Sequence, residues 1–209
     1  MTAAQPLLGG HLLVFAGDSV TDCGRREGAG AGLGNGYVRL LAESGSLAGT
    51  AVLNRGVGGD RTEDLARRWS ADVLAESPHA VSVMVGINDT WRRYDAGQET
   101  AQGTFLARYR SLLERLAPDT LVILMEPFLL PVNPDQQAWR QDLDPKIAAV
   151  RRLAKEFGAV LVRTDEILNA RVAAGAPPQT LADDGVHPTA LGHAAIAEAW
   201  LDAVANRLL

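Results

Sequence analysis

The chain is short of several residue types, and each shortage excludes something. It has a single cysteine, Cys23, so no disulfide can close within it. Nothing in it calls for an oxidising compartment. It has only two lysines, Lys146 and Lys155, and neither follows a glycine, so there is no Walker A phosphate loop. The remaining basic residues are arginine, and the net charge of −5 argues against a nucleic-acid binder, which would carry a basic stripe. No apolar run approaches the roughly 20 residues of a membrane span. The opening "MTAAQPLLGGHLLVFAG" lacks a basic region ahead of its apolar part, unlike a secretory signal. A cytoplasmic protein with no membrane partner is the expectation.

Metal and nucleotide signatures are missing too. No H-E-x-x-H occurs, and His193 follows His187 by six residues, the wrong spacing for two ligands on one helix face. His11 and His79 have no motif around them. No metal and no cofactor is expected. The glycine-rich patch "GAGAGLGNG" (28–36) fits G-x-G-x-x-G in no register and does not directly follow a strand, so it reads as a flexible loop.

What is present is a regular alternation. Five short apolar, β-branched runs recur: "LLVFAG" (12–17), "TAVLNRG" (50–56), "AVSVMVG" (80–86), "TLVILMEP" (120–127) and "AVLVRTD" (159–165). They are near-continuously apolar, as strands buried on both faces of a parallel sheet are. Amphipathic Ala/Leu/Arg-rich segments separate them, such as "TEDLARRWSADVLAE", "TFLARYRSLLERLA" and "DPKIAAVRRLAKEFG". A last helix starts near Pro188 and runs to the end. With 209 residues, 47% of them hydrophobic, the chain suits one α/β domain spanning 1–209. The segment "PFLLPVNPDQQ" reads as a long proline-rich loop.

Ligands of open parallel sheets bind beyond the carboxyl ends of the strands. Four polar, glycine-bearing stretches fall at such positions: Gly17-Asp18-Ser19, "NRGVGGDRT", "GINDTW" and, before the last helix, "DDGVHPT". Asp184 and His187 stand three residues apart, so they can share a face of a turn. A histidine acting as base needs an acceptor on its far ring nitrogen, and a carboxylate at this spacing supplies one. Asp183 competes on composition alone; the spacing favours Asp184. His187 would then take a proton from Ser19. Donors for a developing oxyanion would be the Ser19 N–H, Gly59 in its glycine-rich turn, and the Asn88 amide. Asn88 alone could cap a helix starting near Thr90, but Asp89 is the better cap and leaves Asn88 free. Cys23 reads as a small buried residue one helical turn past Ser19, and His193 as a packing or surface histidine.

"GDSVTD", "NRGVGGD", "GIND" and "DGVH", in this order, resemble the four sequence blocks of the SGNH, or GDSL-type, serine hydrolases. The resemblance spans most of the chain. It implies a three-layer α/β/α sandwich of flavodoxin-like topology with a five-stranded parallel sheet. It also implies Ser19 as nucleophile, His187 as base, Asp184 as its partner, and an oxyanion hole of Ser19, Gly59 and Asn88. "GDSVTDCGRR", "VSVMVGINDTWRRYD" and "ILMEPF" further resemble the intracellular bacterial acetylxylan-esterase branch, which implies a small acetylated carbohydrate as substrate and makes a homo-oligomer plausible. Trp91, Arg92 and Phe128 are candidates to line the substrate side, with core packing as the alternative for Trp91 and subunit packing for the Phe128 loop. A general short-chain or lysophospholipase-type acyl hydrolase stays open, as does a non-catalytic binding module on the same fold.

Overall fold

A computed structural model of the chain describes residues 7–208. Five strands form one parallel sheet: β1 (Leu12–Gly17), β2 (Ala51–Gly56), β3 (Ala80–Met84), β4 (Leu121–Met125) and β5 (Val160–Val162). Their order is β2-β1-β3-β4-β5, the flavodoxin-like doubly wound order. Nine helices pack around it among the described residues: α1 (Ser19–Asp22), α2 (Tyr37–Ala42), α3 (Thr62–Asp72), α4 (Ile87–Ala96), α5 (Gln102–Leu113), α6 (Pro134–Glu156), α7 (Thr164–Ala173), α8 (Pro178–Leu181) and α9 (Ala190–Leu208).

The apolar strand runs are explained by two cores. Successive strand side chains point to opposite faces. In β1, Leu13 and Phe15 enter one core with Tyr37 of α2 and Trp200 of α9. Val14 and Ala16 enter the other with Trp69 of α3, Phe105 and Tyr109 of α5, and Leu153 of α6. Helices therefore cover both faces, and the expected three-layer sandwich is the fold. No described helix is long and apolar enough to cross a membrane.

Three local expectations need correction. The fifth run reaches Asp165, but β5 stops at Val162 because Thr164 already opens α7. The loop after β4 is shorter than its composition suggests. Asn133 Oδ1 accepts from the N–H of Gln136 (3.0 Å) and Pro134 sits at the first helical position, so α6 starts ten residues before the expected Asp144. Pro145 therefore lies inside α6. Finally, α4 begins at Ile87 with Gly86 as its cap, so Asp89 is inside the helix and does not cap it.

In this strand order the topological switch lies between β1 and β3. The segments leaving those two strands carry Ser19 and Asn88.

Candidate active site

The turn after β1 is built to present one side chain. Asp18 is extended and caps α1, its Oδ1 accepting from the Val20 N–H at 3.1 Å. Ser19 is the first residue of the single-turn α1, where an N–H has no intrahelical acceptor. Cys23 ends the turn in the left-handed region, with φ of +40°. The end of β2 presses against α1 from below: a Cβ on Gly56 would lie 2.2 Å from the Asp22 nitrogen, so only glycine allows this approach. Asn54 holds the same contact, its amide donating to the Thr21 carbonyl at 2.7 Å. Arg68 of α3 ties both strand ends together. Its guanidinium donates to the carbonyls of Gly17 (3.0 Å) and Arg55 (2.6 Å) and to Asp60 Oδ2 (2.6 Å).

Before α9 the chain forms a compact turn. Ser19 Oγ and His187 Nε2 are 2.9 Å apart, and His187 Nδ1 is 2.6 Å from Asp184 Oδ2. The other oxygen of Asp184 accepts from the N–H groups of Val186 (2.9 Å) and His187 (2.7 Å). Asp184, not the exposed Asp183, is thus the carboxylate that meets His187. Burial alone would raise the Asp184 pKa, but these hydrogen bonds and the imidazole charge bring it to about 2. The hydrogen bond to Asp184 holds His187 above its ordinary value, against partial burial. Both side chains are nearly half exposed.

A second layer clamps this turn. Gln136, buried on α6, donates from its amide nitrogen to the Asp184 carbonyl (2.6 Å) and accepts from the Val132 N–H (2.9 Å). The Leu130 N–H donates to the Gly185 carbonyl (2.9 Å). Gly185 has φ of +85°, and a Cβ there would lie 2.5 Å from the Leu130 carbonyl oxygen.

The remaining donors lie on neighbouring segments. The 56–60 turn lies against the serine: a Cβ on Gly58 would sit 3.8 Å from the Ser19 Cβ, and the Gly58 N–H donates to Asp22 Oδ2 at 3.1 Å. Gly58 and Gly59 are the exposed residues of this turn, and Gly59 has φ of +84°. Asn88, on the first turn of α4, is buried and donates one amide hydrogen to the Asp60 carbonyl at 3.1 Å, which leaves the second hydrogen for another acceptor. Asp89 fastens α4 to α3 instead of capping: it accepts from the N–H (2.9 Å) and Oγ1 (2.7 Å) of Thr62.

Trp91 is partly buried, with its ring centroid 5.9 Å from that of His187. Arg92 lies 6.0 Å over the Trp91 ring and pairs with Asp95. Phe128 is 2% exposed and belongs to the same core as Phe15 and Trp200, so it offers no surface to a substrate. Cys23 Sγ meets His193 Nε2 at 3.3 Å, and His193 Nδ1 accepts from the Tyr37 N–H at 3.2 Å. Burial lowers the His193 pKa to about 4, so the ring is neutral and carries its proton on Nε2, toward the sulfur. His11 and His79 stack on each other at the opposite end of the sheet, where His79 Nδ1 accepts from the Leu12 N–H at 3.1 Å. No group of three or more His, Cys, Asp or Glu suited to a metal ion occurs among the described residues.

Three participants carry no local sequence signal: Arg68, Gln136 and Trp139, whose ring lies 5.4 Å from that of Trp91. Each is a single residue inside a helix, and the contact that ties it to the site reaches Gly17, Asp184 or Trp91, far away in sequence.

Comparison with known proteins agrees with this geometry. Residues 15–195 match the GDSL-like Lipase/Acylhydrolase family. An acetylxylan esterase from Geobacillus stearothermophilus is 38% identical over 205 residues, covering 92% of this chain and 93% of that protein. Solved structures of an acetylxylan esterase from that organism include catalytic mutants of a serine, an aspartate and a histidine. The serine mutant superposes with a TM-score of 0.84 at 35% identity, over 94% of each chain. An alpha/beta hydrolase enzyme from the metagenome of Lake Arreo gives a TM-score of 0.84 at 32% identity, over 94% of this chain and 96% of that one.

Proposed function

The chain belongs to the GDSL-like Lipase/Acylhydrolase family and is a serine carboxylic ester hydrolase, and we propose that it removes acetyl groups from xylooligosaccharides through Ser19, His187 and Asp184. The observation that carries this reading is the continuous hydrogen-bond chain from Ser19 Oγ through both ring nitrogens of His187 to Asp184. The substrate class rests on the similar esterases, which act on acetylated xylan and acetyl-xylooligosaccharides.

In this mechanism Asp184 accepts a hydrogen bond from the Nδ1–H of His187, which keeps the proton on Nδ1 and leaves Nε2 as the base. Nε2 takes the hydroxyl proton as Ser19 Oγ attacks the acetyl carbonyl. The N–H groups of Ser19 and Gly59 and the free amide hydrogen of Asn88 receive the oxyanion. One such donor is worth about 3–4 kcal/mol in a serine protease that uses the same device. The imidazolium then gives its proton to the departing sugar oxygen, and an acetyl-serine remains. Water, deprotonated by His187, releases acetate and restores the hydroxyl. The exposure of His187 leaves the alcohol side open to solvent, which suits a bulky sugar leaving group. One cysteine and small oligosaccharide substrates fit a cytoplasmic enzyme.

The test is a series of aryl esters from acetate to octanoate, together with acetylated xylooligosaccharides, run on wild type and Ser19→Ala. Fastest turnover of acetates, acetate release from the sugars and an inert Ser19→Ala are expected. Octanoate turned over fastest would replace this reading with a longer-chain acyl hydrolase. Equal inertness of both proteins would leave a binding module.

A further inference from the structure

Beside His187 the first half of α6 crosses α4, and their contact is aromatic. Trp91 and Tyr94 stand three residues apart on one face of α4. Trp139 of α6 fits between them. Its ring is 5.4 Å from that of Trp91, and the Tyr94 ring stacks on it at 5.6 Å with 16° between planes. With Trp91 itself 5.9 Å from His187, three rings run in sequence away from the catalytic histidine. The Tyr94 hydroxyl donates to the Ala138 carbonyl at 2.7 Å, which fixes the far end of the row.

The row ends in a recess of about 370 Å³ lined by Tyr94, Asp95, Asp135, Ala138 and Trp139. This volume is at the small end of ligand sites, about the scale of one ring. Its composition is specific. Two carboxylates line it beside the rings, Asp135 in the first turn of α6 and Asp95 near the end of α4, which also pairs with Arg92. Tyr94 is 38% exposed, which is unusual for a large side chain in this protein, although Trp139 stacks on its ring and the Arg93 guanidinium lies 5.9 Å over it. A sugar ring presents C–H groups on its face and hydroxyls at its edge. The first pack on an aromatic ring; the second donate to carboxylates.

We propose that this recess is a subsite for an unreacting, neutral sugar ring of the oligosaccharide, one or more residues from the acetylated ring at Ser19. The inference rests on the carbohydrate reading above and extends it from the reacting ester to chain length. Binding energy gathered there is remote from the bond being broken, so it appears only with substrates long enough to reach.

The experiment compares wild type, Tyr94→Ala and Tyr94→Phe on an aryl acetate, acetylated xylose and acetylated xylotriose. Loss of the ring is expected to lower kcat/KM on acetylated xylotriose about tenfold, mainly through KM, which is the scale of one aromatic contact. Turnover of the aryl acetate and of acetylated xylose should stay within about twofold, and Tyr94→Phe should follow wild type on all three. Unacetylated xylotriose should inhibit aryl acetate hydrolysis by wild type and do so about tenfold more weakly with Tyr94→Ala. If wild type deacetylates the xylotriose and Tyr94→Ala matches it, the subsite is wrong while the carbohydrate reading stands. If Tyr94→Ala loses equally on all substrates, Tyr94 is structural and the subsite is again wrong. If wild type cleaves aryl acetates but no acetylated xylo-sugar, the carbohydrate reading fails and the subsite goes with it.

Discussion

Replacing Asp184 by asparagine is a sharp test, because the structure fixes how the new amide must sit. One oxygen of Asp184 accepts from two backbone donors, the N–H of Val186 at 2.9 Å and of His187 at 2.7 Å. In Asp184→Asn only the amide oxygen can take that place. The amide NH2 is then forced into the position 2.6 Å from His187 Nδ1. An NH2 group donates and cannot accept, so Nδ1 must become the acceptor and the ring proton must move to Nε2. That nitrogen faces Ser19 Oγ at 2.9 Å, and once protonated it cannot take the hydroxyl proton. The turn itself survives, since both backbone donors keep their acceptor.

The expected result is a fall in kcat of about 10⁴, or about 5 kcal/mol, the effect of the same tautomer inversion in a Ser-His-Asp protease. The melting temperature should scarcely change. Aryl acetate hydrolysis followed from pH 5 to 9 also tests the electrostatics. In wild type the hydrogen bond to Asp184 raises the His187 pKa, so activity, which needs the neutral ring, should fall on the acid side with a midpoint above 6.5. Without the carboxylate the midpoint of the residual activity should move to lower pH. A variant within tenfold of wild type near pH 8, or an unmoved acid limb, would refute the assignment of Asp184 as the group that sets the tautomer.

Two further predictions concern groups next to the triad. Burial raises the Asp18 pKa to about 7 from 3.8, despite the Val20 N–H, so keeping it ionised costs stability that grows as pH rises from about 4 to about 7 and then stays constant. Asp18→Asn keeps the Val20 acceptor and removes that cost, so it should raise the melting temperature at pH 8 but not at pH 4, with about 4 kcal/mol as the upper bound; equal shifts at both pH values would contradict the buried charge. Gln136→Ala removes the donor to the Asp184 carbonyl and the acceptor for Val132, which should cost about 1–3 kcal/mol of stability in a denaturant melt and lower kcat by about 10–100-fold with KM little changed. Gln136→Glu should fail to restore kcat, because a carboxylate cannot donate to the Asp184 carbonyl; full rescue by glutamate would show that this bond does not hold the turn.

What could be read from the chain, and what could not, divides by how far apart in sequence the interacting parts lie. The strands were legible because a two-faced buried strand needs apolar side chains at successive positions, and the five runs show that. Ser19 was legible because a strand, a capping aspartate and a one-turn helix are contiguous; Asp184 and His187 because three residues suffice to bring them onto one turn. Phe128 shows the limit of that logic. Its place after β4 is the right place for a site residue, yet its side chain is buried in the core, and no local pattern shows this in advance because the segment 126–130 is buried throughout. Asp89 fails for a similar reason, since its true partner is the start of another helix, Thr62, 27 residues away. The same holds for Arg68, which reaches Gly17 across 51 residues, and for Gln136, which reaches Asp184 across 48. A polar residue inside an amphipathic helix reads as solvated surface until the fold brings its partner to it. The site therefore has two parts of different legibility. The groups assigned to the chemistry stand on local turns with their own sequence signature, while the groups that hold those turns in place are supplied singly by helices, and only the packing of α3 and α6 against the strand ends reveals them.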